Sequence, residues 1–231
     1  MDEKEKKALI DLYEKRLDKY GMDIKTVGWS SISQQLARFE ALIQIADLTN
    51  KTLLDVGCGF GDLYEYLTRK NIKIKMYKGI DFSSKMIEIA KDKYSNSKNA
   101  EFEVFNLFES NIDEDFKKGY DYVVASGIFS FPIKDNVGYF QKMVRKMFEI
   151  SNFGVGVNMP TSYVDYKDED LFYFEPEEVF SFCKSITKRV SLIHNYMPYE
   201  FTVYLYKRDI IDENNIFTDF RIDSRIDSYL E

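Results

Sequence analysis

Residues 53–61 read LLDVGCGFG, an apolar run followed at once by three glycines at alternate positions. An apolar run that ends in glycines is typical of a buried strand that turns sharply into a helix. Glycine suits such a turn because its backbone adopts conformations that a Cβ disfavours, and because a Cβ would hold a ligand away from the main chain. This stretch therefore predicts a strand, a ligand-binding turn and a helix in direct succession.

The segment from residue 51 to residue 158 alternates short apolar runs with helical patterns. Such alternation predicts βαβ units, with a parallel sheet covered by helices on both faces. The predicted strands are 52–56, 76–80, 101–106, 120–125 and 153–158. The predicted helices are 62–70, 84–94, 113–116 and 136–150.

The N-terminal flank has a helical pattern. Apolar residues at helical spacing predict one helix over the first twenty residues, ending at Gly21, and a second over 33–46. The apolar face of the second helix is expected to carry Leu36, Phe39, Ile43 and Ala46.

Beyond Pro160 the spacing of apolar residues changes again. A helix is expected from Glu175-Pro176 to Ile186, with proline in its first turn. The runs 189–194 and 201–207 are close enough in sequence to pair as an antiparallel hairpin. The predicted fold is thus α/β and Rossmann-like: a mostly parallel seven-stranded sheet with helices on both faces and a C-terminal antiparallel hairpin. The tail, 209–231, is polar, and its short repeat RIDSRIDS is assigned no function.

Composition narrows the classes of function. The chain has 231 residues and a net charge of −7, which argues against non-specific binding to nucleic acid. Cys58 and Cys183 lie too far apart for a typical metal-binding spacing, so no metal site is expected. No secretory signal and no apolar stretch long enough to cross a membrane is found, so a cytoplasmic enzyme is expected. The oligomeric state cannot be derived from the sequence.

A carboxylate, Asp81, ends the second predicted strand. In this geometry an acid can accept hydrogen bonds from both ribose hydroxyls of an adenosine. The chain lacks the Gly-Lys-Ser/Thr of a P-loop, and a nicotinamide-type GxGxxG pattern from Gly57 would need glycine at the position of Asp62. A nicotinamide oxidoreductase remains an alternative, because the order strand, glycines, helix and acid is shared.

The pattern Asp-x-Gly-x-Gly-x-Gly from Asp55 resembles the first motif of class I S-adenosylmethionine-dependent methyltransferases. Residues 79–90, GIDFSSKMIEIA, look like that family's second strand and the helix after it, and 120–131, YDYVVASGIFSF, look like its fourth strand. The resemblance covers roughly 36–207. It implies S-adenosylmethionine as cofactor, a core over 51–208, and N-terminal helices over 1–50 that cover the cofactor.

The resemblance also implies roles for individual residues. Asp55 would orient the loop or meet the methionine ammonium, and Asp81 would hold the ribose. In the N-terminal segment, Arg38 is a candidate partner of the methionine carboxylate, although a solvated helix residue is the more ordinary interpretation. Trp29 and Gln35 are candidates to cover the site, with a core position as the alternative for Trp29. Asn106 stands where many members have an acid that binds the adenine amino group. The remaining predicted cofactor contacts are Gly57, Cys58 and Gly59 at the methionine, Phe82, Met86 and Leu107 at the adenine, and Ser126 with Gly127 beside the sulfonium.

The acceptor side is less specified. His194, the only histidine, is a candidate base at the end of a late strand, although a histidine bonded within its own turn is somewhat favoured; Tyr196 and Glu200 are the reserve candidates. Phe129 and Phe131 are placed to face the sulfonium or to fill the core.

The segment holding Tyr163 and Tyr173 is a candidate lid, although a packed surface loop is the more ordinary interpretation. The Asn/Asp-Pro-Pro-Tyr motif of base-methylating enzymes is absent after the fourth strand. A small molecule methylated on oxygen or nitrogen, such as a sugar or a nucleotide-linked intermediate, is therefore expected. A non-catalytic subunit that binds the same cofactor is a further alternative.

Overall fold

The computed structural model describes residues 1–28, 31–108, 116 and 119–218. Its strands are β1 (Thr52–Val56), β2 (Met76–Asp81), β3 (Ala100–Val104), β4 (Tyr120–Ser126), β5 (Ser151–Pro160), β6 (Val190–Met197) and β7 (Glu200–Tyr206). Its helices are α1 (Glu3–Tyr20), α2 (Ile32–Ile43), α3 (Asp62–Arg69), α4 (Ser84–Lys93), α5 (Asn136–Ile150) and α6 (Pro176–Lys184).

All seven strands belong to one sheet in the order β3-β2-β1-β4-β5-β7-β6. The pairs among β1 to β5 are parallel, whereas β7 is antiparallel to both β5 and β6. The predicted mostly parallel sheet with a C-terminal antiparallel hairpin is therefore confirmed. The strand order reverses between β1 and β4, and in open α/β sheets ligands bind outside the carboxyl ends of the strands at such a point.

Apolar side chains cover both faces of the sheet. Helices α2, α3 and α4 contribute Leu42, Leu67 and Ile87 to one core, and α5 and α6 contribute Val144 and Cys183 to the core on the other face. Each of these five side chains is at most 1% exposed. Burial of two apolar layers against one sheet explains why the βαβ pattern folds as a three-layer domain. None of the helices among the described residues is long and apolar enough to cross a membrane.

Helix α1 is attached differently, because none of its residues is fully buried. Asp2 caps its first turn, accepting from the backbone N–H groups of Lys4 and Glu5. Lys134, in the loop between β4 and α5, binds the Asp2 carboxylate at 2.6 Å, and its backbone N–H donates to the Glu5 carboxylate at 2.7 Å. Polar contacts of this kind hold α1 across the carboxyl edge of the sheet.

Several predicted details differ from the structure. Leu36 is 39% exposed, whereas the buried face of α2 carries Gln35, Arg38, Phe39, Ala41 and Leu42. β3 ends at Val104 rather than Asn106, because the Asn106 side chain accepts from the backbone N–H of Phe108 and turns the chain away. The predicted helix at 113–116, apart from Phe116, and the RIDSRIDS repeat lie outside the described residues.

The glycine loop (residues 57–61) has the backbone that its composition predicts. Gly57 and Gly61 have φ values of +75° and +76°, which lie in the left-handed region. A Cβ on Gly57 would lie 2.3 Å from Cγ2 of Ile128, and one on Gly61 would lie 2.7 Å from the rings of Phe102 and Tyr94. Positions 57 and 61 of the loop therefore disfavour any side chain, both by their dihedral angles and by the packing around them.

The substitution Gly57→Ala should destabilise the fold more than Gly59→Ala. Both residues have positive φ, at +75° and +54°, but the nearest atom to a Cβ on Gly59 is 3.5 Å away. We expect Gly57→Ala to cost about 1–3 kcal/mol more in chemical denaturation, from overpacking against Ile128. Ile128→Ala should remove that excess in a double-mutant cycle, and equal losses for the two single variants would contradict this account.

Candidate functional site

The carboxyl ends of β1, β2 and β4 and the segment after β3 surround one cavity of about 1150 Å³, a volume that includes space open to solvent. Helix α1 closes it from above with Leu9 and Tyr13. The cavity brings together ten predicted cofactor positions, namely Asp55, Gly57, Cys58, Gly59, Asp81, Phe82, Met86, Asn106, Leu107 and Ser126. These residues come from four separate segments, so their convergence is a property of the fold.

Asp55 is the most deeply buried carboxylate of the cavity, at 3% exposure. Burial raises its pKa from 3.8 to about 7, although the hydroxyl of Tyr77, which donates to it at 2.5 Å, lowers the pKa in part. The carboxyl therefore changes charge near neutral pH. Because the unfolded chain loses this proton first, the shift makes the fold less stable as the pH rises from about 4 to about 7.

Asp81 ties β2 to the glycine loop. Its Oδ2 accepts from the backbone N–H of Gly59 at 3.1 Å, and its Oδ1 accepts from that of Ser83 at 2.8 Å. Burial raises the pKa of this carboxyl, while the backbone donors lower it. Each oxygen keeps a further acceptor position, which is what two ribose hydroxyls require.

The wall beyond Asp81 is apolar. It is formed by Phe82, Met86, Phe105, Leu107 and Tyr139. Asn106 lies among them, and its Oδ1 accepts from the backbone N–H of Phe108 at 3.1 Å. Such a wall with one amide suits a flat, weakly polar ring such as adenine. Cys58 also lines the cavity, and burial raises the pKa of its thiol, so it stays protonated.

Asn158, on β5, is a positioning residue that was missed from sequence. It is 0% exposed, and its Oδ1 accepts from the Ser126 hydroxyl and from the Gly127 backbone N–H, both at 3.2 Å. Its Nδ2 donates to the backbone oxygen of Arg38 at 3.3 Å. One amide thus holds the end of β4 against α2. The available signal was a polar residue within the apolar run of a central strand.

Arg38 is not among the residues that line the cavity, and its predicted role at the methionine carboxylate stays a prediction. It is 6% exposed, and its Nη2 lies 2.6 Å from Oε1 of Glu200, which is 5% exposed. Glu200, the reserve candidate base, faces this guanidinium in the interior and is likewise not among the lining residues, so a proton-transfer role for it stays a prediction. The pair joins α2 to the start of β7.

His194 and Tyr196 are not among the residues that line the cavity. Nε2 of His194 lies 3.1 Å from the backbone oxygen of Pro198, which matches the histidine bonded within its own turn. The Tyr196 hydroxyl lies 2.9 Å from that of Thr202. Strand β6 does run parallel to β1–β5, since β7 is antiparallel to both its neighbours. A proton-transfer role for either residue stays a prediction from sequence.

The remaining aromatic predictions have mixed outcomes. Phe131 lines the cavity, whereas Phe129 is 1% exposed and belongs to the core. Tyr163 donates to Glu177, and Tyr173 accepts from the backbone of Asp168; neither is part of the cavity wall. Trp29 lies outside the described residues.

Gln35, the other predicted cover of the site, does line the cavity and donates to the Asp62 carboxylate at 3.2 Å. Tyr13 of α1 is a lining residue that sequence reasoning had not assigned to the site. Its helical spacing on the apolar face of the first helix was the available signal.

Comparison with known proteins agrees with this geometry. A family model described as "Methyltransferase domain" matches residues 54–149. A Mycobacterium tuberculosis protein assigned as a methyltransferase, Rv1506c, is 34% identical over 160 residues, which cover 66% of this chain and 91% of the relative. The chain belongs to the class I S-adenosylmethionine-dependent methyltransferases. This membership removes the nicotinamide oxidoreductase alternative.

Solved structures show that this methyltransferase shares its fold with distant proteins. Magnesium protoporphyrin IX methyltransferase (ChlM) from Synechocystis, solved with bound S-adenosylhomocysteine, superposes with a TM-score of 0.60 at 13% identity, covering 87% of this chain and 98% of that one. The DhpI complex with the same product gives 0.59 at 17% identity, covering 84% and 93%. The small RNA methyltransferase HEN1 gives 0.58 at 16% identity, covering 78% and 26%.

The residues of the cavity fit the family's cofactor. Asp55, Asp62 and Asp81 supply carboxylates, which suit a ligand that carries a sulfonium and an ammonium. Among the described residues, no lysine or arginine lines the cavity to oppose that charge. The close backbone approach at the glycine loop and the apolar wall complete the match to an adenosyl group.

If Asp55 meets the methionine ammonium, product affinity should depend on pH. With a pKa of about 7, the ionised fraction of this carboxyl rises roughly tenfold between pH 6 and pH 8, so S-adenosylhomocysteine should bind up to about tenfold more tightly at pH 8 in calorimetry. Two controls should stay flat: the variant Asp55→Asn, and the ligand 5′-methylthioadenosine, which lacks the ammonium. A slope that survives in Asp55→Asn would contradict the contact.

Breaking the Arg38–Glu200 pair should affect stability rather than cofactor binding. Arg38→Met leaves a buried carboxylate without its partner and should cost roughly 3–5 kcal/mol in denaturant unfolding. The double variant Arg38→Met/Glu200→Met should recover much of that loss and bind S-adenosylhomocysteine within about threefold of wild type. A tenfold weaker affinity in the folded double variant would restore Arg38 as a cofactor ligand.

Proposed function

We propose that this methyltransferase transfers the methyl group of S-adenosylmethionine to an oxygen or nitrogen of a small molecule bound beneath α1. The proposal rests on the residues that cover the cavity. Leu9 and Tyr13 of α1, together with Phe131 and Ile133 from the loop after β4, close the cavity above the glycine loop. A covered cavity of this kind suits an acceptor that enters whole, such as a sugar or a nucleotide-linked intermediate.

Charge supports the same class of acceptor. The chain carries a net charge of −7, and the described residues that line the cavity include three aspartates. A polynucleotide acceptor requires lysine and arginine that neutralise phosphates along its path. The structural neighbours include both a porphyrin and a small RNA methyltransferase, so the fold alone does not select the acceptor.

The cofactor supplies an electrophilic methyl carbon on a positively charged sulfur. The chain's residues have to align an acceptor lone pair with that carbon and exclude water, and alignment alone contributes on the order of 7 kcal/mol or more in well-oriented cases. Ser126 and Gly127, held by Asn158, occupy the end of β4 where the acceptor would approach. Burial and the charge of Asp81 raise the pKa of Tyr13, so its phenol stays protonated and can donate to the acceptor.

Asp81→Ala tests the ribose contact. Loss of charge-assisted hydrogen bonds should weaken S-adenosylhomocysteine binding by roughly 2 kcal/mol or more, about thirtyfold in Kd. Asp47→Ala is a suitable control, because Asp47 is an exposed carboxylate that likewise accepts from a nearby backbone N–H, that of Thr49. An unchanged Kd for Asp81→Ala in calorimetry would remove the ribose assignment.

Activity is tested by the release of S-adenosylhomocysteine with a panel of hydroxyl and amine acceptors. We expect turnover with at least one small acceptor, no turnover with RNA or DNA oligonucleotides, and loss of turnover in Asp81→Ala. Tight product binding without turnover on any member would favour the non-catalytic subunit. Methylation of an oligonucleotide in preference to every small acceptor would overturn the proposal.

A further inference from the structure

Arg16 of α1 lies directly behind the wall of the cavity. Its guanidinium carbon is 5.7 Å from the centre of the Phe131 ring, and Phe131 is a lining residue. A Cβ on Gly28 would lie 3.1 Å from its Nη1, and Val27, next to Gly28, also lines the cavity. Tyr13, almost one helical turn earlier on α1, lines it as well. The guanidinium therefore lies against Phe131, next to the cavity, although Arg16 itself is not among the lining residues.

The Nη1 atom of Arg16 is buried and has no hydrogen-bond partner within the part of the chain that the structure describes. An unpartnered buried donor costs roughly 1–3 kcal/mol, and more when it is charged. A buried donor without a partner is therefore a candidate for binding a ligand or a water.

The carboxylates of the cavity do not supply that partner. Asp55 accepts from Tyr77, and Asp81 accepts from the backbone of Gly59 and Ser83. Asp62 accepts from Gln35 and pairs with Lys93 at 3.3 Å. Arg38, a buried arginine of α2, pairs with Glu200 through its Nη2 atom. None of these three carboxylates therefore satisfies the Nη1 atom of Arg16.

We propose that Arg16 binds an anionic group, a carboxylate or a phosphate, on the methyl acceptor. The inference rests on the proposed function. A guanidinium pairs with such groups through two parallel N–H···O hydrogen bonds, so its two N–H groups act as a fork. An aromatic ring against the face of the guanidinium holds this fork in place. Phe131 belongs to the loop after β4, on the side where the acceptor approaches, whereas the methionine end of the cofactor is expected at the glycine loop after β1. The acceptor class is thereby narrowed to anionic small molecules.

Two substitutions test this site. Arg16→Met keeps the apolar stem against Phe131 and removes the charge, and Arg16→Lys keeps the charge without the fork. Lys15→Met is the matched control, because Lys15 is an exposed neighbour on the same helix. Calorimetry with S-adenosylhomocysteine comes first and shows whether wild type binds the cofactor product, which tests the proposed function separately.

The anion site is then measured on protein saturated with S-adenosylhomocysteine. Inorganic phosphate and acetate are titrated at constant ionic strength against chloride, and Tm is followed. We expect a saturable rise in Tm for wild type and Lys15→Met, a midpoint at least fivefold higher for Arg16→Lys, and no saturable rise for Arg16→Met. The absence of such a rise in wild type, or an equal rise in Arg16→Met, overturns the proposal.

A third measurement separates the two sources of the anion. If Arg16 binds the cofactor's own carboxylate, Arg16→Met should weaken S-adenosylhomocysteine at least tenfold and leave 5′-methylthioadenosine unchanged. That result overturns the assignment to the acceptor. Affinities for both ligands within about threefold of wild type support it.

Discussion

The turn after β1 is the constraint on which the site depends. Gly57 packs so closely under Ile128 that no side chain fits, and Ile128 itself follows β4, the neighbouring strand. The contact therefore joins the two strands between which the sheet order reverses. The cavity opens at that junction because the chains after β1 and β4 leave the sheet there, and the main chain rather than side chains forms its floor.

A set of buried polar contacts fixes the positions of the helices and strands around that part of the cavity. Asn158 holds the end of β4 against α2, and the Arg38–Glu200 pair holds α2 against β7. Gln35, on the same helix, reaches Asp62 at the start of α3. Helix α2 is thus fixed on three sides by directional bonds. Apolar packing alone would let it slide, because dispersion contacts have no preferred direction.

The fold, and the convergence of the predicted cofactor positions on one cavity, were predictable because their signals are local. The glycine loop, Asp81 and the segment around Asn106 each follow one strand, and parallel strands bring their carboxyl ends to one edge. The apolar pattern of α2 placed Leu36 on the buried face and could not reveal that Arg38 is buried, because its partner Glu200 is distant in sequence. Asn158 contacts Gly127, which is 31 residues away in sequence, and Tyr13 meets cavity residues that lie further away still. The spacing of residues within one segment does not reveal such contacts.

The attachment of α1 has a consequence for how ligands enter and leave the cavity. This helix buries no residue completely. It is joined to the rest by the edge-to-face contact of Tyr13 with Phe131 and by two surface ion pairs, Lys134 with Asp2 at 2.6 Å and Lys85 with Glu14 at 3.0 Å. Dissolved ions screen such pairs, and each contributes little at physiological ionic strength. One part of the attachment of α1 therefore weakens as the salt concentration rises, whereas the packing of the glycine loop below it does not involve charge.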